Sequence, residues 1–187
     1  MKIRKLSIGW TLFVFLILLV VISCKKDTGL VPQNQKFMLS SPDIGADSLL
    51  PAEYTCDGLS STLPLAWTGA PEKTVCFALI MHHIASPTDI HWYWVLYNIP
   101  ANTNNLPKNT TGIGILGTNS VNDRTGYAPP CSQGPGIKAY TYTIYSLSQP
   151  PVLPLPADKV TRLILLDAIE DITISSAKMT VYYSRNI

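Results

Sequence analysis

Neither sign of charge dominates this 187-residue chain: 14 lysines and arginines stand against 12 aspartates and glutamates, a formal net charge of +2. Bulk charge therefore gives no support to nucleic-acid binding, which needs a basic surplus. Histidine is scarcer, with three in the whole chain, and cysteine stops at four. There is no Gly-x-Ser-x-Gly elbow, no standard zinc-ligand spacing and no internal repeat. These absences count against a serine hydrolase of the elbow type, a zinc module and a solenoid.

What is present begins at the N-terminus. Lys2, Arg4 and Lys5 precede an almost unbroken apolar run from Ile8 to Ile22, and Val21-Ile22-Ser23-Cys24 closes it. A positive start, an apolar stretch and a small residue form an export signal. The run is about 15 residues, short of the roughly 20 that span a bilayer. Its end resembles the lipobox of bacterial lipoproteins, which implies a signal peptide over 1–23 and acylation of Cys24. Without Lys2, Arg4 and Lys5 the chain carries 11 basic against 12 acidic residues, so its basicity belongs to the signal. One acyl chain anchors weakly, but lipoproteins of this kind carry more, so stable attachment is expected. Lys25-Lys26 in place of an aspartate resembles the signal for release to the outer membrane, leaving the face it occupies open.

Residues 24–36 hold the lipidated cysteine and a polar tether without periodicity, able to reach about 35–40 Å if extended. Residues 37–187 remain, one domain's worth. Three cysteines would survive processing, enough for one disulfide in an oxidising compartment. Cys76 sits in an apolar strand pattern and reads as buried filler. Cys56 and Cys131 both fall in Gly/Pro-containing loops, and theirs is the pairing to try first.

Within the domain, short β-rich runs alternate with proline and glycine, as in an all-β sandwich. Strands are predicted at Phe37–Ser40, Leu65–Trp67, Val75–Met81, Trp92–Asn98, Tyr140–Leu147 and Lys178–Ser184. A late amphipathic helix is predicted from Asp158, as cap, to about Ile169, with Val160, Leu163, Ile164 and Ala168 at helical spacing. The expected class is mainly β: an antiparallel β-sandwich with one or two short peripheral helices.

All three histidines lie in one ten-residue stretch, His82 to His91, beside aromatic strand residues. The side chain that titrates near neutrality is thus concentrated at one place, the candidate site. His91-Trp92 followed by Val95-Leu96-Tyr97-Asn98-Ile99-Pro100, with Gly126-Tyr127-Ala128-Pro129-Pro130-Cys131 and Tyr140-Thr141-Tyr142-Thr143-Ile144-Tyr145, resembles the bacterial branch of the phosphatidylethanolamine-binding proteins, also called Raf-kinase-inhibitor-like. The resemblance runs from about Phe37 to Arg185. It implies a sandwich with a small pocket at one end for phosphate-like anions. In the family that pocket is built from an Asp-Pro-Asp-x-Pro loop, a histidine on the next strand, a Gly-Pro-Pro-type loop and a His-x-Tyr strand start.

Aligned on Pro87, His83 stands at the first aspartate and Ala85 at the second, while His91 matches the family histidine. Pro130-Cys131 fits the second loop, with Ser132-Gln133 in place of prolines. Tyr140 fits the tyrosine, and Lys138 replaces the second histidine. The candidate ligand-binding residues are therefore His83, His91, Pro130, Cys131, Lys138 and Tyr140. Exchanging carboxylates for an imidazole and a methyl, and an imidazole for an ammonium, makes the pocket neutral to positive. It should suit a small anion such as phosphate or a phosphorylated head group, held more tightly as the pH falls through about 6.5. Consecutive strand residues face opposite ways, so His82 and His83 cannot both line it. The aromatic run Trp92–Tyr97 is expected to be core.

The leading function is a non-enzymatic binding module tethered to the bacterial cell envelope, without cofactor, its protein partner open. One alternative is a metal site or metallo-hydrolase using His83 and His91 with Asp89 or Cys131. Another is a nucleophile, Ser86 or Cys131, with His91 as base, although no acidic residue is evident to orient that histidine. The last is a structural or adhesion lipoprotein.

Overall fold

A computed structural model describes residues 36–133 and 135–185. The signal, Cys24 and nearly all of the tether lie outside the described residues. Among the described residues eight strands form, β1 Met38–Ser40, β2 Leu65–Thr68, β3 Cys76–Ser86, β4 Asp89–Pro100, β5 Asn105–Leu106, β6 Ile115–Leu116, β7 Lys138–Leu147 and β8 Thr173–Tyr183, with one α-helix, α1, at Arg162–Ile169. They make two antiparallel sheets, a small one ordered β1-β2-β5 and a large one ordered β6-β4-β3-β7-β8. Among the described residues no helix is long and apolar enough to cross a membrane.

The central strand β3 is apolar without alternation from Cys76 to Met81 because both of its faces are covered. Phe77, Leu79 and Met81 enter the core between the sheets, against Leu39, Leu65 and Trp67. Ala78 and Ile80 turn to the other face, where Val160, Leu165 and Ile169 close a second core. At roughly 25 cal/mol per Å² of apolar surface removed from water, these two layers dominate the stability.

The helix differs from its prediction at the start. Thr161, not Asp158, is the cap, its hydroxyl accepting from the Ile164 N–H at 3.4 Å. Asp158 lies in a separate one-turn 3-10 segment, Ala157–Lys159. The Thr118 hydroxyl and N–H donate to the carbonyls of Asp158 (2.7 Å) and Val160 (2.8 Å), holding that backbone out of the helix. The inward stripe is consequently Leu165 and Ile169, while Leu163 is exposed.

Two further differences shape the site. The predicted strands end at Met81 and resume at Trp92, whereas β3 and β4 continue to a tight turn, with Ser86 opposite Asp89. His83 and His91 thus become directly paired strand residues. The second is a β-bulge in β4: Met81 pairs with Trp94 but His82 pairs with Trp92. One extra residue shifts the alternation, so Tyr93 and Trp94 both enter the inter-sheet core and Trp92 crosses to the helix side.

Candidate functional site

At the turn end of β3 and β4 the sandwich opens into a cavity of about 390 Å³. Its walls are His83 and Ala85 from β3, His91 and Tyr93 from β4, Lys138 and Tyr140 from β7, and the loop segments Ser120-Val121 and Cys131-Ser132-Gln133. The fold therefore brings together five of the six sequence-derived candidates. Pro130 does not line the cavity; it is buried behind it, its carbonyl accepting the Cys56 N–H at 3.0 Å. That hydrogen bond turns the proline inward and leaves Cys131 as the first residue of the wall.

Each histidine is held through one ring nitrogen. His83 Nδ1 lies 2.8 Å from the Ala139 carbonyl oxygen. A carbonyl only accepts, so Nδ1 carries the proton and Nε2 is left for other partners. His91 Nε2 lies 3.1 Å from Asp89 Oδ1, leaving Nδ1 for other partners. Asp89 is thus the acidic partner for His91: the two stand two positions apart on β4, where side chains share a face, because the strand extends back to the turn instead of starting at Trp92. The two tyrosines meet edge to face, ring centroids 5.3 Å apart, and His83 lies 5.5 Å from Tyr140. Burial pushes the pKa of both tyrosine hydroxyls up, so they remain neutral donors near neutral pH.

The loop walls are fixed by specific bonds. Asn119 is buried and accepts the N–H groups of Val121 and Asn122 on Oδ1 while donating to the Arg124 and Gly126 carbonyls. Ser120 Oγ accepts the Trp92 N–H at 2.8 Å. On the opposite wall a disulfide joins Cys56 to Cys131. Arg185 reaches the same segment, pairing with Asp57 at 2.6 Å and the Ser132 carbonyl at 3.5 Å, and Tyr183 donates to Asp57 at 2.6 Å. Ser132 is buried, and its hydroxyl has no partner among the described residues.

Sequence reasoning missed Tyr93, Ser120, Val121 and the unpartnered Ser132 hydroxyl. Tyr93 follows from the bulge, which no period-two pattern reveals; the loop residues arrive through contacts distant in sequence. The nucleophile alternative finds no support here: Cys131 is in the disulfide, and Ser86 is at the turn, outside the cavity wall. Nor do three or more His, Cys, Asp or Glu side chains gather to hold a metal among the described residues.

His82 takes the other face of β3. Burial, with Arg162, Lys178 and His83 nearby, lowers its pKa from 6.5 to about 4. A depressed folded-state value means that the neutral ring is favoured in the native state. Its stabilisation is complete above about pH 6.5 and is lost as the pH falls from there through about 4. Allowing for solvent screening of a half-buried group, the loss is on the order of 1–2 kcal/mol. Urea midpoints measured from pH 7 to 4 should show this acid loss, and it should shrink in His82→Gln; an identical pH profile in the variant would remove His82 as the cause.

A family model described as phosphatidylethanolamine-binding protein matches residues 40–184. A UPF0098 protein of Methanothermobacter thermautotrophicus is 33% identical over 141 residues, 73% of this chain and 91% of that protein. One from Aquifex aeolicus is 36% identical over 106 residues, 53% of this chain and 61% of its own length. Among solved structures, a putative phosphatidylethanolamine-binding protein homologue of Chlamydia trachomatis has a TM-score of 0.73 at 22% identity, covering 82% of this chain and 100% of its own. Escherichia coli YbcL has a TM-score of 0.72 at 22% identity, covering 81% and 100%.

Proposed function

This chain belongs to the phosphatidylethanolamine-binding protein family, and from that premise we propose that it is a non-enzymatic binding module that holds a small anionic, phosphate-like group in the cavity at the end of its sandwich. The observation that carries this reading is the cavity's donor set. Lys138, His83, His91, Tyr93 and Tyr140 line it together with Ser132, and no carboxylate stands among the described lining residues. An oxyanion offers only acceptors, so it is the complement of such a wall, and hydrogen bonds to an ionised partner are the strong ones.

The proposal extends to location: Cys24 is acylated, and the residues up to Lys36 tether the domain to the bacterial envelope, with the outer membrane as destination. What supports this is the order of a basic start, an apolar run and Val21-Ile22-Ser23-Cys24. Labelled palmitate should enter the wild-type chain and not Cys24→Ser; equal labelling of both would remove the anchor from the reading.

The direct test is a thermal-shift titration of the full chain in detergent with inorganic phosphate, phosphoethanolamine and zinc. Binding to the folded state stabilises it by about 2.7 kcal/mol at a ligand concentration 100 times Kd. Phosphate should raise the Tm in the wild type and much less in His91→Ala. No shift with phosphate or phosphoethanolamine would overturn the anion reading, and a shift with zinc alone would return the metal alternative.

A further inference from the structure

The face of the large sheet that carries α1 gathers cationic groups that the cavity on the other face does not use. His82 of β3 pairs in register with Thr141 of β7, and Thr141 with Thr180 of β8. Two residues along β8 on the same face stands Lys178. Arg162 is the first residue of α1, whose Leu165 and Ile169 pack on this same sheet face, and its charge acts on both His82 and Tyr145.

This grouping is costly as it stands. Lys178 and Arg162 both oppose a charge on His82, and neither forms an ion pair with an acid among the described residues. Two of the buried polar nitrogens, His82 Nδ1 and Arg162 Nε, have no hydrogen-bond partner among the described residues. A buried donor or acceptor left unpaired costs about 1–3 kcal/mol. Two such atoms beside one lysine, contributed by a strand, a helix and a second strand, are arranged for a group that brings negative charge and several acceptors.

We propose that His82, Arg162 and Lys178 form a second, independent site for a small oxyanion, a phosphoryl or sulfuryl group, on the helix-bearing face of the large sheet. A guanidinium presents paired donors to two oxygens of such a group, the lysine adds a point charge at the open edge, and the imidazole closes the inner side. Occupation favours the imidazolium of His82, so the anion and the proton bind cooperatively. The charged or titratable groups facing His82 are Arg162 from α1, Lys178 from β8 and its neighbour His83 on β3; its partners on β7 and β4, Thr141 and Trp92, do not titrate in this range.

The test follows the His82 ring by NMR in the full chain in detergent, with sodium sulfate as probe because its charge is constant across the range. Sulfate should raise the His82 midpoint from about 4 by a unit or more. The same rise should persist in a His91→Ala, Lys138→Ala chain, which separates this site from the cavity. It should need at least about tenfold more sulfate in Lys178→Gln, an exposed position whose change leaves the fold intact, and vanish in Arg162→Gln. A midpoint that does not move at roughly 50 mM sulfate, or that moves equally in Lys178→Gln, would overturn the proposal. Phosphatidylglycerol and phosphatidylcholine vesicles then separate the sources: a His82 rise exceeding that of His83 and His91 with the anionic lipid alone assigns a head group, and a rise with dissolved sulfate or phosphate alone assigns a soluble ligand.

Discussion

Opening the Cys56–Cys131 disulfide should lower the stability of the domain by about 3–4 kcal/mol, the largest loss expected from any single covalent change here. The bond closes a loop with a sequence separation of 75, and restricting so long a loop in the unfolded chain is worth roughly 4 kcal/mol in the chain-entropy account. The native state contributes too, because Cys131 sits under Arg185, whose guanidinium also holds Asp57 and the Ser132 carbonyl. Those bonds keep the segment 131–133 in place after reduction, so the fold should survive, weakened. The cavity should suffer more than the core, since Cys131, Ser132 and Gln133 are one of its walls. Urea unfolding with and without a reductant, repeated on Cys56→Ser with Cys131→Ser, measures the loss. A change below about 1 kcal/mol would show that the link is not a stability element.

On the reading proposed for the cavity, Lys138→Glu should weaken phosphate binding by about 100-fold or more, close to 3 kcal/mol. The substitution removes the one permanent cation among the described lining residues and sets a carboxylate facing the incoming anion. That carboxylate would also compete for the ring N–H donors of His83 and His91. Lys138→Gln separates the two effects and should cost nearer tenfold. Lys138 is half-buried at the first position of β7, opposite Tyr183, so neither change disturbs a packed layer. Isothermal titration at fixed pH and salt reads both variants. Wild-type affinity in Lys138→Glu would mark the lysine as a solvated surface charge and move the site elsewhere.

How much of this was legible in the chain differs by element. The continuous apolar run of β3 and the aromatic run of β4 announce themselves because burial on both faces demands it. The placement of His83 and His82 on opposite faces follows from strand geometry alone. Tyr93 was read as core, and it both packs in the core and lines the cavity. A period-two pattern assigns alternate residues, and the bulge between the Met81 and His82 pairs breaks that period. Asp158 looked like a cap because it precedes a helical pattern; hydrogen bonds from Thr118, forty residues away, overrode that local preference.

The sequence by itself determined the family, the sandwich class, the opposite facing of His82 and His83 and the crowding of imidazoles in one ten-residue stretch. Composition, alternation and motif spacing are local quantities, and a chain displays them before it folds. Tertiary structure decided which side chains meet: Arg185 with the 131–133 wall, and Tyr93 beside Tyr140 through the bulge. Those encounters depend on strand register and on loops closed over tens of residues. A one-residue shift in either exchanges the faces of a strand, and no local pattern carries that information.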